Sequence, residues 1–158
     1  MAILRSTGLK DAVQKAGGVS LADAMANGVL YIYSGTKPAN ADTTEGTAVV
    51  LHVFTVGGME FTPGVAANGL NFSLSTDGYL HKAVAEEWLS VAPNFGASPL
   101  PATWARFYDN ARILGDSTTA IRFDLTVGTS ASFDINLRST LIYSGDELKF
   151  NSFRITGP

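Results

Sequence analysis

Between residues 121 and 127 the chain alternates strictly. Ile121, Phe123, Leu125 and Val127 are apolar, and Arg122, Asp124 and Thr126 between them are polar. Period two marks a β-strand with one face in a core, because successive side chains leave opposite faces of the pleat. The phase returns at Phe133, Ile135 and Leu137, which alternate with Asp134, Asn136 and Arg138. With residues 128–130 as the turn, the two runs predict an antiparallel hairpin whose outer face carries Arg122, Asp124, Asp134 and Arg138.

The rest of the chain from Gly28 onward reads the same way. Residues 29–33 are β-branched and aromatic, and 48–55 is apolar on both faces apart from His52, as in a central strand. Gly57-Gly58, Pro63-Gly64, Asn68-Gly69 and Asp77-Gly78 punctuate brief strands expected at 60–62 and 70–75. Residues 82–91 fit a helix or a strand, and 102–108 resumes as a strand. Within 148–156 the apolar phase shifts between Phe150 and Phe153, which predicts a bulge near Asn151-Ser152. Eight or nine short strands at this spacing predict an all-β fold, an antiparallel β-sandwich of jelly-roll type.

Residues 1–27 differ and form an N-terminal arm with short helical segments ahead of a sandwich domain at 28–158. A helix is expected over 7–16, stopped at Gly17-Gly18. A second follows Ser20, whose hydroxyl can cap it, with Gly28 suited to a left-handed C-terminal position. Neither is long enough to stand alone, so both must dock. The arm, residues 1–10, can either reach onto a neighbouring molecule or pack on its own sheet.

Composition excludes several function classes. With 158 residues the chain fits one domain that needs no staple. It has no cysteine, so disulfides, thiolate metal sites and a Cys nucleophile are ruled out. A net charge of −3 argues against nucleic-acid binding, which needs clustered Lys and Arg. No apolar run reaches the length of a signal peptide or a membrane span, so the expected site of synthesis is a cytoplasm, with no membrane partner. Charged residues make up 16% of the chain, against about 25% in ordinary proteins. A surface so poor in charge suggests that a partner covers part of it.

No catalytic, cofactor or metal site is expected. His52 and His81 are the only imidazoles, and neither sits at ligand or general-base spacing from a partner. His52 reads as a hydrogen-bonded core or interface histidine and His81 as a solvated one. Gly115-Asp116-Ser117 echoes the Gly-Asp-Ser-Leu esterases, but both histidines precede it and residue 118 is Thr, so it reads as a loop. Glu86-Glu87 beside Trp88 has the geometry of a glycosidase pair in neither a helix nor a strand. The aspartates at 109, 116, 124 and 134 lack calcium-loop spacing. Trp88, Phe95, Trp104, Phe107 and Tyr108 flank a proline-rich loop. They read as a core cluster pinning that loop, or as an interface patch or a carbohydrate-stacking platform.

Several blocks carry a resemblance as a set: residues 2–9 (Ala-Ile-Leu-Arg-Ser-Thr-Gly-Leu), 28–35 (Gly-Val-Leu-Tyr-Ile-Tyr-Ser-Gly) with Pro38-Ala39, Phe61-Thr62-Pro63-Gly64, 68–72 (Asn-Gly-Leu-Asn-Phe) and 104–108 (Trp-Ala-Arg-Phe-Tyr). Together the chain resembles small proteins encoded in the structural modules of tailed bacteriophages and prophages. The resemblance implies a non-enzymatic virion component, a capsid decoration or cement protein of sandwich or jelly-roll fold. Its implied partners are the major capsid protein or other virion proteins, with self-assembly into a homo-oligomer. A tail or neck protein and a carbohydrate-binding module are the alternatives. The candidate interface residues are Met1, Ile3, Leu4, Arg5 and Lys10 of the arm, with Trp88, Phe95 and Trp104. The arm, the 34–47 loop and the 88–104 region, comparatively bare of charge, are the expected contact surfaces.

Overall fold

A computed structural model describes residues 3–74 and 76–156. In chain order the elements are β1 (Leu4–Arg5), α1 (Thr7–Gln14), α2 (Leu21–Ala24), β2 (Val29–Ser34), β3 (Val49–Val56), β4 (Phe72–Leu74), β5 (Tyr79–Lys82), β6 (Trp88–Val91), β7 (Leu100–Pro101), β8 (Trp104–Tyr108), β9 (Arg122–Gly128), β10 (Ile135–Asn136), β11 (Leu141–Ile142), β12 (Glu147–Phe150) and β13 (Arg154–Thr156). The chain is mostly β, with two short helices, and its strand pairs are antiparallel apart from β10 against β9. Seven strands line up as β1-β9-β8-β2-β3-β6-β12, with β10 joined to β9, in an eight-stranded sheet. A three-stranded sheet, β13-β5-β4, and a two-stranded ribbon, β11-β7, complete the fold.

One face of the large sheet forms the main core. Leu30, Ile32, Phe54, Trp88, Ala105, Phe107, Phe123 and Leu125 meet Leu80, Phe153 and Ile155 of the three-stranded sheet there. Rings tie the layers together, with Phe72 5.1 Å from Phe107 and Trp88 5.2 Å from Phe153. The helices dock on the same core through Leu9, Leu21, Ala24 and Met25. Ser6 and Ser20 cap them, accepting from the backbone N–H of Leu9 and Asp23.

Several local expectations need correction. Asn27, at φ 53°, takes the left-handed position expected of Gly28. Gly28 is needed for space instead, because a β-carbon there would lie 2.3 Å from both the Phe107 ring and the Tyr108 carbonyl oxygen. Residues 60–62 form no strand and belong to a run of turns. The ambiguous 82–91 segment is the end of β5, a turn and then β6. The expected 121–137 hairpin is absent: β10 runs parallel to β9, Ile135 opposite Val127. The phase shift near Asn151 is no bulge within one strand. There the chain leaves the large sheet, where β12 pairs with β6, for the small one, where β13 pairs with β5.

Candidate functional site

The opposite face of the large sheet carries the second half of each alternating strand. Val29, Tyr31 and Tyr33 of β2 and Trp104 and Tyr108 of β8 form a separate buried cluster. Arg106, Arg122 and Asp124 lie beside it and are also buried, at 0%, 0% and 1% exposure. Arg122 and Asp124 therefore do not decorate an outer surface. The reason is that two loops, 36–47 and 109–120, fold over this face and bond to it.

Those bonds are specific. Arg106 makes a two-pronged pair with Asp124, Nη2 to Oδ2 at 2.9 Å, and also donates to the Thr43 carbonyl and to Glu45 Oε1 at 3.0 Å. Burial opposes its charge, but the Asp124 contact outweighs burial and holds the guanidinium above its ordinary pKa. Arg122 donates to four carbonyls, those of Ala41 and Asp42 in one loop and Ile113 and Gly115 in the other, at 2.6–2.9 Å. It rivets the two loops to β9. Tyr33 lies 2.9 Å from Tyr108, whose own proton goes to Glu45. Burial pushes both phenols well above their usual range. Glu45 is buried against ionisation, yet the Tyr108 hydrogen bond and neighbouring donors hold its carboxyl below the ordinary value. Asp42 accepts from the Thr7 backbone and hydroxyl at 2.7 and 2.6 Å, which fastens the first loop to α1.

Its central groups, Arg106, Arg122 and Asp124, are paired and buried, and Asp42 and Glu45 form its half-buried rim, so the network's role is positional. What it positions is an apolar loop face. Ile113 and Leu114 stand out at 40% and 52% exposure on the loop that Arg122 holds. Val65 and Met59 are exposed on the neighbouring 57–69 turns, which Asn110 ties to the same loop by accepting from Gly64 N–H and donating to the Val65 carbonyl. This face was missed in the sequence. The one signal for it, Ile113-Leu114 between Arg112 and Gly115, is an apolar pair stranded in a turn.

The expected interface residues are scattered. Met1 lies outside the described residues. Ile3, Leu4 and Arg5 are half-buried, with Leu4 opposite Asp124 and Arg5 opposite Phe123, so the arm lies on its own sheet. Lys10 is exposed on α1. Phe95 is half-buried against the main core. Trp88 and Trp104 are 0% exposed and lie on opposite faces of the sheet, so they form neither an interface patch nor a sugar-stacking platform.

The histidines behave differently from each other. His52 is buried, with Nδ1 3.0 Å from Ser90 Oγ and Nε2 unpartnered, and burial pulls its pKa down to about 4. His81 is half-exposed and pairs with Asp77 at 2.9 Å on the lip of an open groove of about 610 Å³ that Phe133 and Phe153 also line. Asp116 accepts from the Thr44 N–H, and Ser117 closes the turn before Ala120, so Gly115-Asp116-Ser117 is a loop bracket. Glu86 accepts from the Trp88 indole and the Asn71 backbone, and Glu87 pairs with Lys149. Among the described residues no three His, Asp or Glu side chains converge, and no helix is long and apolar enough to cross a membrane. Comparison with protein-family models, curated proteins and solved structures gave no match to this chain.

Proposed function

We propose that this chain is a non-enzymatic structural protein of a tailed-phage virion, made in the host bacterial cytoplasm. In this reading it is a decoration or cement protein on the capsid exterior that binds and stabilises the shell of major capsid protein. The layering is read as a jelly-roll-like sandwich, supported by the eight-stranded and three-stranded sheets that share one core.

One observation carries the functional reading. In a chain already poor in charge, Arg106, Arg122 and Asp124 are buried to fix loops; those loops hold Ile113 and Leu114 out toward solvent, and Asn110 ties to them the 57–69 turns that carry the exposed Val65. A rigid apolar face of this kind suits docking on another protein, because little ordering entropy is lost on contact. Weak contacts repeated over a lattice then add by multivalency. Neither a pocket nor a cofactor is required.

The test is to add the purified protein to particles that lack it. Binding should saturate at a fixed ratio to the major capsid protein and raise the melting temperature of the shell. Leu114→Asp should weaken binding by about tenfold or more, the scale of one buried apolar side chain turned charged at a contact, while its circular dichroism stays unchanged. Failure of the unaltered protein to bind would contradict the reading.

A further inference from the structure

The large sheet ends at β12, and the hydrogen-bond phase there defines which backbone groups are left over. Gly57 N–H donates to Glu87 O on the β3 side of β6, and Ala92 N–H donates to Asp146 O on the β12 side. Antiparallel ladders alternate, so on β6 the residues 87 and 89 bond toward β3, and 88, 90 and 92 bond toward β12. The partners of 88 and 90 are Phe150 and Leu148. The N–H and C=O groups of Glu147 and Lys149 therefore point away from the sheet. Among the described residues nothing bonds them, and both residues are exposed.

Lys on an edge strand ordinarily discourages pairing with another strand. Here the edge is complementary to itself. If two copies pair antiparallel about a twofold axis at Leu148, Glu147 of each lies opposite Lys149 of the other. That register makes 147 and 149 the hydrogen-bonded pairs, which are the residues whose groups are free, and it leaves Leu148 facing Leu148 as the non-bonded pair. Four backbone hydrogen bonds and two cross-strand ion pairs result. The half-buried Leu148 side chains meet on the core side of the sheet. Lys149 already pairs with Glu87 at 3.1 Å within its own chain, so each lysine would sit between two carboxylates.

We infer that β12 is a homodimerisation edge, at which a second copy of this chain adds antiparallel in the register Glu147 to Lys149 and joins two eight-stranded sheets. The inference goes beyond the proposed function and is independent of it, because it concerns the purified chain alone. A contact this short is weak, so it is read over a wide concentration range.

Sedimentation equilibrium of the full chain should give a reversible, salt-sensitive dimer. Lys149→Glu and Glu147→Lys should each weaken it by about tenfold, the scale of two attractive cross-strand pairs made repulsive. The double exchange Glu147→Lys/Lys149→Glu restores complementarity and should recover most of the affinity. Amide hydrogen exchange gives a second reading that needs no variant. Protection at Glu147 and Lys149 should rise with protein concentration, while Leu148 and Phe150 stay protected throughout. A chain monomeric at every concentration, a dimer indifferent to both reversals, or flat protection at Glu147 and Lys149 would overturn the inference. Any of these results would leave capsid binding to be judged on its own test.

Discussion

At Gly8 there is no room for a β-carbon. One placed there would lie 2.3 Å from the Thr119 carbonyl oxygen and 2.6 Å from that of Ala120, both backbone atoms that cannot swing aside. Gly8→Ala should therefore destabilise the fold by about 1–3 kcal/mol, as overpacking does, measured as a lower urea midpoint at unchanged m-value. Ser6 beside it is buried and ties the arm to β9, donating to Ala120 O at 2.7 Å and accepting from Arg122 N–H at 3.1 Å. His52 makes a second prediction at this scale. Its ordinary pKa is near 6.5, and burial lowers it to about 4 in the folded chain, with only a partial offset from the Asp146 charge. The unfolded chain binds the extra proton first. This stability is thus fully present above pH 6.5 and is lost as pH falls toward 4. Urea unfolding at a series of pH values should show that loss, up to about 3 kcal/mol in total at about 1.4 kcal/mol per pH unit. His52→Gln should flatten the slope in that window. Equal slopes in the two proteins would contradict the assignment.

Among the elements, the loop 36–47 has the most to lose from a single change. Glu45 takes hydrogen bonds from Arg106, Tyr108 and the Gly115 backbone, and it is the acid that the loop contributes to the buried network. Glu45→Ala should loosen loops 36–47 and 109–120 while β2, β8 and β9 stay folded. The expected result is faster proteolytic nicking and faster amide exchange in the loops alone. Asp124→Ala is harsher, because it strips a fully buried Arg106 of its two-pronged partner, and should cost about 3–5 kcal/mol. The alternation of residues 121–127 made β9 readable from the sequence, and the Ser20 cap and the central run at 48–55 did the same for α2 and β3, whereas the Ser6 cap of α1 was not foreseen. The far side of β9 was misread for a physical reason. Arg122 and Asp124 look solvent-facing in any local window, and only the loops that fold back from 36–47 and 109–120 enclose them. The switch of sheet between Phe150 and Arg154 was likewise hidden, because a phase shift tells that pairing breaks and not which strand comes next.

For the whole molecule, three of the blocks behind the phage resemblance coincide with packing nodes, while residues 61–64 lie on half-buried to exposed turns. Residues 2–9 hold the Ser6 knot and Gly8, 28–35 are β2 at the centre of the large sheet, and 104–108 are β8 with Arg106 on one face and Phe107 on the other. What they specify is a scaffold, and the exposed Ile113, Leu114 and Val65 lie outside them. The low charge of the chain acquires a sharper meaning from the fold. Three charged side chains are interior, so the exterior is barer than composition suggests, and the loop face is one of the places where apolar residues stand exposed. A shell-covering role requires that face to be repeated many times on one particle. The most direct measurement is the copy number in purified particles, by quantitative mass spectrometry against the major capsid protein. The account predicts on the order of hundreds of copies per particle, in a fixed ratio set by the symmetry of the shell. A count of only about three, six or twelve, as in a ring at the neck or tail, or the absence of the protein from intact particles, would contradict it.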